Sequence, residues 1–221
     1  MKARGVSKYL SYLLRHGAIK EGYSIDSQGF VSVNEITKKM TTTFDEVKEI
    51  VETDDKKRFE IVEKNHQWYI RAVQGHSIEL DDPGLVLVLD PSEIPTVVHG
   101  TNHKAYGLIK NEGLNKMTRT HIHFAKGLLS DQDVISGMRK SADVLIYINV
   151  EKAMAAGIKF YLSKNGVILS DGINGTISPE FFAKVDFVQN INHGKTKPPR
   201  KVRVPKSVAA VPSTIFAMQD K

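Results

Sequence analysis

The 221-residue chain contains no cysteine, and no apolar run reaches the length of a membrane span. The first absence excludes disulfides and Cys-ligated metal centres and fits a reducing compartment. The second gives no expectation of a membrane partner. The opening residues Met1-Lys2-Ala3-Arg4-Gly5 are not followed by the apolar segment of a signal peptide, so the expected location is intracellular, cytoplasmic or nuclear. No GxGxxG or Walker loop occurs, which leaves Rossmann and P-loop nucleotide sites unsupported. No HExxH spacing suggests zinc, and no GxSxG anchors a serine triad. The expected metal content is none.

Charge is short of an excess where a fold would need it to attract a polyanion. The net charge is +6, but seven of the 31 Lys and Arg and one of the 25 acids fall in residues 192–221. That leaves 24 of each sign in residues 1–191. A nucleic-acid or nucleotide site in the neutral body would have to use a few placed cations instead of a broad positive field.

What is present reads as an α+β chain. Val6, Tyr9, Leu10, Leu13 and Leu14 follow helical spacing and predict a helix over residues 6–16, stopped by Gly17. A short strand is expected at Gly29–Val31. Ser32–Glu35 and Thr43–Glu46 both fit capping boxes opening helices. Arg58–Val62 and Trp68–Ala72 predict a β-hairpin. Helix, strand, two helices and a hairpin is the order of a winged-helix unit, expected over residues 1–82 and closed by the turn-rich Asp81-Asp82-Pro83-Gly84. Residues 83–191 predict strands at 85–89, 95–99, through His121 and His123, at 144–150, 160–162, 167–169 and 183–188. Helices are expected at 102–112, from Asp131 and at 151–156. Short strands with few helices predict a mainly antiparallel sheet. Residues 192–221 read as a basic, disordered or loosely docked tail.

Three clusters could carry chemistry: Arg15-His16, Arg71 to His76, and Arg119 to His123. Singly, each fits a solvated cation or a helix terminus favouring positive charge. Together they could surround phosphate, because guanidinium keeps its charge and matches phosphate oxygens in pairs. In the third cluster, strand alternation would place His121 and His123 on one face. An enzyme with this inventory would perform Arg- and His-driven phosphate or phosphoribosyl chemistry without a metal.

The segments Ser7–His16, Lys57-Arg58-Phe59, Ile70–Ser77, His99-Gly100-Thr101, Arg119–His123 and Asn165–Leu169 resemble, in order and spacing, those of the RNA 2′-phosphotransferase family. These are the tRNA 2′-phosphotransferases, called KptA in bacteria. The resemblance extends from residue 6 to about 188. Ala125 and Ile135–Arg139 resemble the eukaryotic branch, whereas many bacterial members have VHLS where this chain has Ile122-His123-Phe124-Ala125.

The resemblance implies a winged-helix RNA lobe followed by an ADP-ribosyltransferase-like lobe that binds NAD. It implies an enzyme that consumes NAD as co-substrate and removes the splice-junction 2′-phosphate of tRNA through an RNA-2′-phospho-ADP-ribose intermediate. The products would be 2′-OH RNA, nicotinamide and ADP-ribose 1″,2″-cyclic phosphate. By resemblance, Arg15, Arg71 and Arg119 are catalytic, and His16 and His76 contact RNA phosphate. His99, Gly100, Thr101, His121, His123, Arg139, Asn165, Gly166 and Val167 are cofactor-binding. The partners expected are RNA bearing an internal 2′-phosphate and NAD, with the protein a monomer. The alternatives are an ADP-ribosyltransferase acting on nucleic-acid phosphates, and a non-catalytic RNA-binding module.

Overall fold

The computed structural model describes residues 3–127, 137, 138 and 141–188. The helix expected from Asp131, Arg139 and the basic tail lie outside them. Among the described residues, helices and antiparallel strands alternate irregularly, and every strand pairing is antiparallel.

The first half builds its own apolar core. Helix α1 (Ala3–Tyr12) runs into a π-helical turn, Leu13–Gly17, closed by Ala18 N–H donating to the Leu13 carbonyl at 2.9 Å. Helical spacing therefore places Leu10, Leu13 and Leu14 at full burial, but the last turn is wider than an α-helix. Gly17 permits this, since a Cβ there would stand 2.6 Å from the Tyr12 ring. Strand β1 (Val31–Ser32) leads to α2 (Val33–Met40) and α3 (Phe44–Glu52). The two capping boxes differ. Thr43 and Glu46 make both reciprocal bonds. Ser32 makes no cap bond, and the Glu35 carboxylate, which would form the reciprocal half of the box, accepts instead from the Ser24 amide at 3.3 Å and from Lys39 at 3.0 Å.

Strands β2 (Phe59–Lys64) and β3 (Gln67–Ala72) form the hairpin in register Phe59↔Ala72. It is tighter than the sequence suggests. Only Asn65 and His66 turn the chain, both with positive φ, as a two-residue hairpin requires. The sheet order is β1-β3-β2. Val31, Val33, Ile36, Val47, Phe59 and Ile70 join the α1 leucines in one cluster.

The second half has a separate core around Phe124, Ile146, Phe160 and Ile168. Strand β4 is shorter than the apolar run 85–89 predicts, covering only Val86–Leu87 at a sheet edge. β5 (Val98–Thr101) begins three residues later than expected. Helix α4 (His103–Glu112) is capped by Asn102, and β6 is the unpredicted pair Leu114–Asn115. β7 (Ile122–Phe124), β8 (Val144–Ile148), α5 (Val150–Ala155), β9 (Tyr161–Leu162), β10 (Ile168–Ser170), β11 (Thr176–Ile177) and β12 (Phe182–Phe187) complete it. The apolar run 144–150 divides at Asn149, whose side chain caps α5.

Two sheets, β4-β9-β10-β7 and β12-β8-β5, meet where Val98 and Ala125 exchange backbone hydrogen bonds of 3.0 and 2.9 Å. This bridge puts β5, carrying His99, beside β7, carrying His123.

Candidate active site at the seam between the halves

The site is assembled from backbone outward. The π turn presents Arg15 while its carbonyl accepts the Ser77 amide at 2.9 Å, which docks the loop after β3 onto the turn. In the turn between α3 and β2, Asp54 accepts from the Arg58 amide at 2.6 Å and from the Arg58 Nε at 3.0 Å. The Asp54 side chain is 4% exposed, and its carboxylate also accepts from the Arg58 Nη2 at 2.5 Å, so it holds the guanidinium of Arg58 by two nitrogens and fixes its orientation at the cavity wall. From the second half, the β5–β7 bridge supplies His99, Gly100, Thr101 and His123. The His99 Nδ1 lies 2.9 Å from the His123 carbonyl, which orients its ring.

These groups line a cavity of about 460 Å³ together with Arg119, Lys56, Gln74, Asn102 and Met138. The first turn of α4 contributes Asn102 and Ala105, at the helix end where the dipole favours an anion. Gly100 lies against Met138: a Cβ at this position would stand 2.3 Å from the Met138 Cγ. The residue must be glycine for that wall to close.

The electrostatics describe a site built for negative charge. Arg15 is mostly buried, and among the described residues its Nε and Nη2 have no hydrogen-bond partner. Burial, then Arg119 and Arg58, push its pKa down to about 10, with Asp54 opposing. Cations crowded until they disfavour one another's charge are relieved by an anion bound among them. His123 is driven down to about 3, by burial first and then by Arg119 and Arg15, and its buried Nε2 also has no partner among the described residues. It is a neutral imidazole at physiological pH.

Not every residue singled out from sequence reaches this cavity. Arg71 is turned away. Its Nε and Nη2 grip Glu60 at 2.9 and 2.8 Å, and its Nη1 donates to the Gln28 carbonyl at 3.1 Å. Phe30 covers its guanidinium at 4.6 Å. His16 is exposed on the turn's outer side, with Nδ1 2.9 Å from the Ser77 Oγ. His76 and His121 line a neighbouring cavity that meets the first at Gln74. The expected shared face of His121 and His123 is thus divided, because β7 starts only at Ile122 and His121 precedes the regular alternation.

Asn165, Gly166 and Val167 form the turn between β9 and β10. Val167 is fully buried, and its carbonyl accepts the Ser163 amide at 3.0 Å. Asn165 donates to the Lys56 carbonyl at 2.9 Å across the seam. Sequence reasoning singled out none of Lys56, Arg58, Gln74 or Asn102 as site residues. Arg58 had a signal, since Lys57-Arg58-Phe59 is among the segments that carry the resemblance.

The sequence pattern of the family described as RNA 2′-phosphotransferase, Tpt1 / KptA family, matches residues 2–172. The chain belongs to that family. A Schizosaccharomyces pombe protein bearing the name of a tRNA 2′-phosphotransferase is 43% identical over 183 residues, which are 81% of this chain and 50% of that one. The chain therefore spans half the length of that relative. It spans more of two others. tRNA 2′-phosphotransferase 1 of Danio rerio is 42% identical over 187 residues, covering 81% of this chain and 83% of its own. The tRNA 2′-phosphotransferase of Saccharomyces cerevisiae is 34% identical over 220 residues, covering 89% and 94%.

Proposed function

We propose that the chain is an NAD-consuming RNA 2′-phosphotransferase that removes the 2′-phosphate left at a splice junction of tRNA. The observation that carries this reading, beside membership of the family, is the buried guanidinium of Arg15 crowded by Arg58 and Arg119 around one cavity. An RNA phosphate supplies the missing anion. The separate cores of the two halves support assigning residues 1–82 to a winged-helix RNA lobe and 83–191 to an ADP-ribosyltransferase-like lobe.

The groups around the cavity fit NAD as co-substrate. His123 has a buried nitrogen in need of a partner, His99 is pre-oriented, and the start of α4 suits a pyrophosphate. His99, Gly100, Thr101 and His123 would hold it. Its contribution is an electrophilic ribose carbon with nicotinamide as leaving group. The ionised RNA phosphate is already a nucleophile and needs no base for that displacement. When the ribose hydroxyl then attacks phosphorus to release the RNA 2′-oxygen, charge builds on phosphoryl oxygens. Arg15, Arg58 and Arg119 stabilise that charge. Arg58 takes the part that the resemblance suggested for Arg71.

The test is a short RNA with an internal 2′-phosphate, incubated with and without NAD and with EDTA throughout. The expected products are 2′-OH RNA and ADP-ribose 1″,2″-cyclic phosphate, in the presence of NAD alone. A persisting phospho-ADP-ribose adduct would instead mark an ADP-ribosyltransferase. No NAD turnover would leave an RNA-binding module.

A further inference from the structure

A second cavity, of about 300 Å³, opens beside the cationic one and shares Gln74 with it. Gln74, His76 and Leu80 wall it from the first half; Leu85, His121 and Leu169 wall it from the second. Its chemistry is unlike its neighbour's. Among the described residues no Lys or Arg lines it, and the acids Glu79 and Asp81 do. A phosphate would be repelled there. A flat, neutral group with an apolar face and a polar edge would be accepted, because leucines, an amide and two imidazoles are what it would touch. His76 is 4% exposed, and among the described residues its Nε2 has no hydrogen-bond partner. Burial and nearby cations hold His76 well below its ordinary pKa, at about 4, and burial lowers His121 as well. Both rings are neutral donors and acceptors near pH 7. A buried nitrogen without a partner calls for one, and the polar edge of a ligand in this cavity would supply it.

We infer that this cavity receives the base of the nucleotide whose 2′-phosphate occupies the cationic cavity. The inference rests on the 2′-phosphotransferase reading. Its geometry follows from the shared Gln74: a phosphate on O2′ and the base on C1′ of one ribose leave on adjacent carbons, and the two cavities meet at one side chain. RNA bases are commonly read this way, unstacked and placed against imidazoles and amides. The cavity makes the enzyme contact the base itself as well as the backbone charge. Its mixed polar edge and lack of cations admit any of the four bases.

The experiment uses the full-length protein and two oligonucleotides identical except that one lacks the base on the 2′-phosphorylated ribose. Loss of the base is expected to raise the RNA KM about tenfold or more while leaving the NAD KM unchanged. Leu85→Trp, at the half-buried rim, is expected to raise the KM for the complete RNA similarly and to add nothing for the abasic one. Equal KM values for the two RNAs with the natural protein, or independent effects of the variant and the missing base, would overturn the inference. A 2-aminopurine at the same nucleotide reads the site without NAD. Its fluorescence should change on binding the natural protein and not on binding Leu85→Trp, whereas no change with either sinks the proposal. Failure of turnover with every RNA would count against the phosphotransferase reading, while the fluorescence still reports on the base cavity.

Discussion

Arg71 has its guanidinium spent on Glu60, Gln28 and the face of Phe30, while Arg119 is exposed at the mouth of the cationic cavity. The two arginines are alike in sequence and opposite in what their loss should do. Arg71→Ala leaves the half-buried Glu60 with, among the described residues, Lys164 as its one remaining cation. Loss of one partner from such a pair, with the second cation still in place, is expected to cost about 1–2 kcal/mol, measured as a lower urea midpoint. Arg119→Ala should leave that midpoint within about 0.5 kcal/mol of the natural protein, as for other exposed substitutions. It should slow resolution of the phospho-ADP-ribose adduct more than its formation, read by quenched-flow separation of the RNA species. Equal slowing of both steps would remove Arg119 from the second step.

The histidines also act at this scale. His76 and His123 stay neutral in the fold down to about pH 4 and 3, whereas in an unfolded chain they take a proton near pH 6.5. The unfolded state therefore binds more protons below pH 6.5, and stability falls as pH drops through that value. Each residue contributes a slope of up to about 1.4 kcal/mol per pH unit. His16 and His121 are shifted the same way. Asp54 and Glu60, held below their ordinary values, enter only at lower pH. Urea midpoints between pH 7 and 5 should therefore decline, and His123→Gln should make the decline shallower.

At the scale of elements, what could be read from sequence was whatever local chemistry decides. The periodic leucines that open the chain, the Thr43 box and the two strands of the β2–β3 hairpin, though not its tight two-residue turn, stand where residue spacing places them. The failures share a different cause: a long-range partner outbid the local one. Glu35 has the spacing to complete a box with Ser32, yet its carboxylate is claimed by the Ser24 amide from outside the helix, with Lys39 one turn further along α2 as its second partner. The apolar run 85–89 keeps only two strand residues because β9, its partner, is itself two residues long. The candidate site divides the same way. Motif residues in one segment arrive together, as His99, Gly100 and Thr101 do. Arg58, held by Asp54, lines the cavity, while Arg71 is held by Glu60 directly across the hairpin and does not, and that cross-strand pairing is not encoded by neighbouring residues. The two boxes offer a direct check. Thr43→Ala should cost about 1 kcal/mol, and Ser32→Ala, which breaks no cap bond, should cost a few tenths. Both are read from denaturant midpoints of the whole chain.

For the whole molecule, the question is how two halves with separate cores hold their charges in one cavity. The body carries no net charge, so a general field cannot gather the RNA phosphate. Placement must do it, and the β9–β10 turn is where placement crosses the seam. Asn165 donates to the Lys56 carbonyl while its Oδ1 accepts the Ser163 hydroxyl, and Lys164 reaches Glu60. The segment held this way carries Lys56 and Arg58 into the cavity. Asn165 thus positions two cations of the cavity from the opposite half, although the resemblance placed it with NAD. The two roles separate in kinetics. Asn165→Ala removes the hydrogen bond across the seam, worth about 1 kcal/mol, together with the one from Ser163 inside its own turn. It should raise the RNA KM roughly 3- to 10-fold. Asn165→Asp should do the same, because a carboxylate cannot donate to the Lys56 carbonyl. The NAD KM should not move in either variant. A raised NAD KM with an unchanged RNA KM would return Asn165 to the NAD site, and the turn would then be no clasp between the halves.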